Sequence, residues 1–230
     1  MIRDIRKDAN YFKKYIAEED ARFNKYYNTA QQKSNEGNDY AAKRAYTFAA
    51  GVQKNKMIAL YSAGAKLPDV LSAYENWVMI CSKLPQLPYS ELLLAASLCI
   101  LLKPSKEIVD IVSEMLSIFT EDDIFIEGFK NYLQGKGFVY TGQSIKYDNF
   151  SKLKQIVVEP DNATQINKLI TFTNKEWYST QYGSAWYNSH LKDTGTYFGY
   201  WCFEGAALAT ALSLDTSDLK KADFIPDDLL

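Results

Sequence analysis

Thr196-Tyr197-Phe198-Gly199-Tyr200-Trp201-Cys202-Phe203-Glu204-Gly205-Ala206-Ala207-Leu208-Ala209 gathers large aromatic side chains around one carboxylate. Phe198, Trp201 or Cys202, Gly205, Ala209 and Leu212 recur at intervals of three and four, the period of a buried helical stripe. The spacing predicts a helix from a Thr196 cap to Leu214. Gly199, Gly205, Ala206 and Ala207 thin that helix, so another backbone can come close at some cost in helix propensity. Glu204 would then have Tyr200 and Trp201 one turn behind and Ala207 and Leu208 one turn ahead, and its carboxylate would need a partner. The hydroxyls of Tyr197 and Tyr200, an indole N–H and His190 are the candidates.

Two readings of Glu204 stand side by side: a general acid or base with a raised pKa, and a structural carboxylate locking the aromatic cluster. The structural one is preferred, because no second carboxylate or nucleophile stands at a telling spacing. His190 is the single histidine, so it has no second imidazole with which to share a metal. His190, Tyr200, Trp201 and Glu204 are therefore read as a structural signature, with no catalytic role, cofactor or metal. Replacing Glu204 by Gln or Ala is expected to lower stability.

Helical spacing extends outward from this stretch through the chain. Ile5, Phe12, Ile16, Phe23 and Tyr27 form one stripe of a long first helix ending near Ser34 to Asn38. Ala41, Ala45, Phe48, Val52 and Ala59 mark a second helix stopped at Gly64, and the two should pair antiparallel. Leu67, Leu71, Tyr74, Val78 and Cys81 give a third, closed by Pro85 and Pro88. The apolar run Leu92 to Leu102 reads as a central buried helix, too short to cross a bilayer. A fifth helix follows Pro104, with Ile108, Val112, Met115 and Phe119 on its apolar face.

Thr120-Glu121-Asp122-Asp123 resembles a capped helix start, running through Phe125, Phe129 and Tyr132 to Gly135-Lys136-Gly137. Residues 137–150 read as a loop or short strand, and Asp161 caps a helix whose face is Ile166, Leu169, Ile170 and Phe172. No alternating pattern recurs often enough for a sheet. The fold expected is an all-α bundle of stacked antiparallel helix pairs, in two parts, 1–118 and 119–230, packed as one unit.

The 230 residues are 47% hydrophobic, enough for a substantial core, and Tyr is abundant at 17. Formal charge is −2, but residues 1–66 hold 13 Lys+Arg against 7 Asp+Glu while the remainder holds 13 against 21. The basic stretch could track a phosphate backbone, though its lysines are spread along helices and read as solvated faces. The acidic remainder repels nucleic acid and attracts a basic protein. Cys81, Cys99 and Cys202 lie far apart in apolar surroundings and read as reduced core thiols, which favours a cytoplasmic location. No signal-peptide core or membrane span is evident.

Trp186-Tyr187, His190, Thr196 to Ala209 and Leu214-Asp215-Thr216-Ser217 are similar to the C-terminal domain of the PoNe immunity proteins, PoNi. Ile2-Arg3-Asp4, Leu60-Tyr61-Ser62-Ala63-Gly64-Ala65, Leu71, Tyr74 and Trp77 resemble that family's N-terminal domain. The resemblance implies an all-helical cytoplasmic protein, not an enzyme, that binds and neutralises a DNA-degrading toxin delivered between bacteria, typically by type VI secretion. The tail Phe224-Ile225-Pro226-Asp227-Asp228-Leu229 departs from the family's, which is closer to Tyr-Pro-Tyr-Asp-Leu, and leaves the cognate toxin open. An acidic inhibitor face suits a basic DNA-gripping cleft, and Glu121, Asp122, Asp123, Asp227 and Asp228 are its candidates, with exposed tyrosines as anchors. A helical scaffold or nucleic-acid adaptor is the alternative; whether the protein forms a homodimer stays open. No direct contact with nucleic acid or membrane is expected.

Overall fold

The computed structural model describes residues 1–145 and 150–230, and among these every regular element is helical, with no β-strand. The protein is all-α, as expected. Ten α-helices follow one another among the described residues: α1 (Ala9–Asn35), α2 (Asp39–Ser62), α3 (Leu67–Cys81), α4 (Tyr89–Leu102), α5 (Lys106–Ile118), α6 (Ile124–Leu133), α7 (Ser151–Val157), α8 (Asn162–Lys175), α9 (Trp177–Thr180) and α10 (Phe203–Ala211). Residues 138–145 lack regular structure. The rest of the loop or strand expected over 137–150 includes residues 146–149, which lie outside the described residues.

Two compact units divide the chain, and each is discontinuous: Met1–Leu87 with Asn188–Tyr200, and Pro88–Tyr187 with Trp201–Leu230. The boundary expected after residue 118 falls inside the second unit. A cut there would also strip the first unit of residues 188–200.

In the first unit, α1 and α2 form a long hairpin. Each begins on a side-chain cap, Asp8 accepting from the Tyr11 N–H at 2.8 Å and Asn38 from the Ala41 N–H at 3.1 Å. The pairings Tyr27 with Tyr46 and Asp20 with Lys56 run in opposite senses along the two helices, fixing the antiparallel register. Ile5 stands outside α1, at 89% exposure, because the helix starts only after Asp8. Phe48 also departs from the expected stripe: it is half exposed and stacks on Tyr26 at 5.3 Å, while Ala45, Ala49 and Val52 face inward. Tyr74, Val78 and Cys81 of α3 are buried as expected.

Residues 1–7 lie across the C-terminal end of α2. The Arg3 and Asp4 N–H groups donate to the Ser62 carbonyl, and the Arg3 guanidinium donates to the Tyr61 and Ala65 carbonyls at 2.9 and 2.8 Å. A cation thus meets carbonyls that the helix end leaves without intrahelical partners. Gly64 permits this path, since a Cβ there would lie 1.8 Å from the Met1 carbonyl oxygen, and its φ of +80° also favours glycine.

Residues 188–200 complete the unit. Asp4 is 1% exposed, and its Oδ2 accepts from the Tyr197 hydroxyl and the Tyr200 N–H. Its Oδ1 accepts from the Arg6 backbone N–H and guanidinium at 3.0 and 3.2 Å. Tyr11 joins reciprocally: its hydroxyl donates to the Tyr197 carbonyl and accepts from the Tyr197 N–H, both at 2.9 Å. The helix expected from Thr196 is therefore absent over its first seven residues. Gly199 sits at φ +124°, outside any helix, and the segment's backbone groups are turned toward Tyr11, Asp4 and Ser62.

In the second unit, α4 is buried on nearly every side, including Leu92, Leu93, Ala95, Ala96, Leu98 and Cys99, and packs against α5, α6 and α10. A helix apolar all round belongs at the centre of a core. At Gly205 of α10 the close neighbours are side chains and not the second backbone expected: a Cβ there would lie 2.9 Å from Cys202 Sγ and 3.3 Å from a methyl of Leu169 on α8. Asp161 caps α8 as expected, accepting from the Thr164 N–H at 2.7 Å. All three cysteines are free and buried.

Removing the Asp4 carboxylate orphans a buried tyrosine hydroxyl and a buried amide. Asp4→Ala should lower unfolding free energy by about 3 kcal/mol in urea titration, whereas Ile5→Ala should change it by less than about 0.5 kcal/mol.

Candidate functional site

The four signature residues separate into two pairs. His190 and Tyr200 meet in the first unit, His190 Nδ1 lying 3.0 Å from the Tyr200 hydroxyl with Ser189 Oγ at 3.3 Å, and the two rings set edge to face. Burial, then the nearby Arg6 charge, pushes the His190 pKa down and keeps the imidazole neutral. Trp201 and Glu204 belong to the second unit, Glu204 in the first turn of α10. The i,i+4 relation of Tyr200 to Glu204 therefore does not exist as a helical pair.

Glu204 is not locked by the partners expected for it. The Tyr197 hydroxyl is engaged by Asp4 and the Tyr200 hydroxyl by His190 and Ser189. Part of the Glu204 stem reaches the surface, but Oε2 is sealed and has no hydrogen-bond partner among the described residues. Burial pushes its pKa up to about 7, opposed by its own backbone N–H. Cys202, two residues earlier, is fully buried, and burial followed by the Glu204 charge raises its thiol pKa. The thiol is thus kept protonated and unreactive.

The five acidic candidates also divide. Asp123 is 3% exposed: Oδ1 caps α6 through the Phe125 and Ile126 N–H groups, and Oδ2 accepts from the Tyr89 hydroxyl at 2.8 Å. It cannot meet a partner while α6 is formed, so the cap stands at Asp123 and the first-turn acid is Glu127. Glu127 in turn holds Thr141 and Gly142 by their N–H groups at 2.7 and 3.0 Å, which lowers its pKa. Asp122 is exposed and accepts from the Gln143 N–H at 3.3 Å. Glu121, Asp227 and Asp228 are exposed, the last two on the turn Asp227–Leu229.

One further surface was not singled out as a site from the sequence. Trp177, Tyr178, Tyr182, Trp186 and Tyr187 lie within eleven residues, and Trp177 and Tyr178 fold against Phe224 of the tail. Tyr178 stacks on Phe224 at 5.5 Å with planes 6° apart and on Tyr187 at 4.8 Å, and Tyr187 meets Tyr182 edge to face at 5.7 Å. Trp177 is buried against Phe224 and Trp186 at 5.1 and 6.1 Å. Tyr182 is 82% exposed. The density of aromatics was the available signal, but their convergence with a residue nearly forty positions later was not.

In the first unit a cleft of about 210 Å³ is lined by Lys7, Lys14 and Lys192 with Tyr11 and Tyr15, but also by Glu18 and Asp193. Lys14 lies 3.8 Å from Glu18, so the positive charge is partly offset. Among the described residues no cluster of three or more His, Cys, Asp or Glu is arranged to hold a metal, and no helix is long and apolar enough to cross a membrane.

Residues 121–229 match the model of the family described as PoNe immunity proteins (PoNi), C-terminal. Comparisons with curated proteins and with solved structures find no match.

Glu204 has a pH signature. Between pH 4.5 and about 7 the folded chain holds a proton on it that the unfolded chain releases, so stability should fall as pH rises through that window and level off above it. The loss should reach at most about 3 kcal/mol. Reversing the expectation from sequence, Glu204→Gln should match the parent near pH 4.5 and exceed it at pH 8 in urea titrations, whereas Glu204→Ala also leaves a cavity.

Proposed function

We propose, from the match of residues 121–229 to the PoNi C-terminal family, that the chain is a PoNe immunity protein, that the toxin it answers is a DNA-cleaving nuclease of the PoNe kind delivered by type VI secretion, and that it acts by occlusion in the cytoplasm. The match over residues 121–229 carries this reading, since the family it meets is described as PoNe immunity proteins. We read residues 1–118 as the matching N-terminal part on the residues quoted for it above.

The charge distribution supports the same reading. A nuclease must present cations to a phosphate backbone. The family-matched stretch 121–229 holds 15 acidic against 10 basic residues, and an acidic face speeds encounter with such a cleft and occupies its phosphate subsites. Glu121, Asp122, Asp227 and Asp228 are the exposed members of that face. Inhibition by coverage needs no bond made or broken by the inhibitor, which fits a Glu204 whose Oε2 is sealed and a His190 engaged by Tyr200.

Co-expression with the product of the adjacent open reading frame is the test. The pair should co-purify, and the chain should suppress DNA cleavage by that nuclease in stoichiometric proportion; co-purification with cleavage intact would favour an adaptor. Charge reversal to Lys at Glu121, Asp122, Asp227 and Asp228 together should weaken binding at low salt by at least about tenfold and flatten its salt dependence. Unchanged affinity and salt dependence would remove the acidic face from the mechanism.

A further inference from the structure

We propose that the aromatic surface made by Tyr178, Tyr182, Tyr187 and Phe224, bordered by Asp223, Asp227 and Asp228, is the hot spot on which an arginine- and lysine-rich surface of the nuclease docks. The inference rests on the function proposed above and adds to it a location and a chemistry of contact.

The rings are already assembled. Phe224, Tyr178, Tyr187 and Tyr182 form a continuous series with centroid separations of 5.5, 4.8 and 5.7 Å, ending in a ring that is 82% exposed. Tyrosine contributes large contact area with few torsions to freeze, so a ladder already stacked binds at low conformational cost. Aromatic faces also attract guanidinium and ammonium groups directly.

The backbone beneath the ladder is constrained. Phe224 has φ +61°, the left-handed region that a bulky side chain rarely occupies. It is kept there on both sides: its carbonyl accepts from the Cys202 N–H at 2.7 Å, and the preceding Asp223 N–H donates to Asn174 Oδ1 at 2.7 Å. Ile225, next in the chain, is 3% exposed and anchors the tail in the core. Strain of this kind persists where the surroundings over-determine a conformation, and it gathers at binding sites. Here it sets the Phe224 ring against Tyr178 and leaves Asp223, Asp227 and Asp228 exposed beside it in the chain.

Charge selects the occupant. Residues 176–187 and 215–230 together contain six acidic residues and two lysines, one of which, Lys221, pairs with Asp218 at 2.7 Å. An acidic border around aromatic faces complements a basic protein surface and disfavours a nucleic acid. The other exposed aromatic face, on α1 and α2, differs. There Lys25 lies over Tyr26 and Arg44 over Tyr40, so the chain's own cations occupy those rings.

The test measures binding of the full chain to a catalytically inactive nuclease from the adjacent open reading frame, by calorimetry at two salt concentrations. Tyr182→Ala and Tyr187→Ala should each weaken binding at least tenfold while melting temperature stays unchanged, and Tyr187→Phe should retain most of the affinity. Tyr182→Lys, at a position too exposed to disturb folding, should weaken it further. Tyr40→Ala and Phe48→Ala should bind like the parent. Unchanged affinity in the Tyr182 variants, or loss concentrated at Tyr40 and Phe48, would overturn the inference while leaving the proposed function standing. Failure of the parent chain to bind would overturn both.

Discussion

The first unit depends on how one buried carboxylate is satisfied. Asp4 brings a negative charge to 1% exposure, a position that is tolerable only with several donors. Those donors are Arg6 close by and Tyr197 and Tyr200 about 193 and 196 residues away. Meeting that requirement holds residues 196–200 out of any helix, alongside the N-terminal chain. It also explains why Tyr197 and Tyr200 are among the most buried large side chains of the protein despite carrying hydroxyls. The Tyr197 pKa is raised accordingly, by burial first and by the Asp4 charge second.

That long-range requirement marks the boundary of what a local pattern can reveal. The α1–α2 hairpin, the buried α4 and the Asp161 cap were legible because each is specified by residues within a few turns of one another: caps, apolar stripes and the glycine and proline stops between them. Thr196 to Leu214 had the same three-and-four spacing, yet the helix occupies only Phe203–Ala211. Periodicity could not register that Tyr197 and Tyr200 are claimed by Asp4. Nor could it register that Gly199, read as thinning a helix, instead adopts φ +124° outside any helix. Competition from a distant partner overrode local propensity, and with it went the expected Tyr200–Glu204 relation.

The candidate site was legible in the same partial way. Acidic residues can be counted from sequence, but a count does not separate a cap from a contact. Asp123 lies two residues from Glu121, yet it is consumed by the N-terminus of α6 and by Tyr89, while Glu121 is exposed. The aromatic surface shows the converse. Tyr178 and Phe224 stand far apart in sequence, and they meet because the tail turns back through a left-handed residue to stack one ring on the other. On the proposed reading, acidic residues and aromatic rings would divide the work of recognition: charge would accelerate and orient encounter, and stacked rings would hold the complex once water is expelled.

An inhibitor that works by coverage should present its contact surface before its partner arrives. Amide hydrogen exchange of the full chain, free and saturated with the inactive nuclease, tests this most directly. A preformed surface predicts added protection at residues 178–187 and 223–229, with the amides of α4 and the Asp4 contacts exchanging at the same rates in both states. Protection centred on α1 and α2, or widespread slowing across the helices as if the chain folded on its partner, would contradict it.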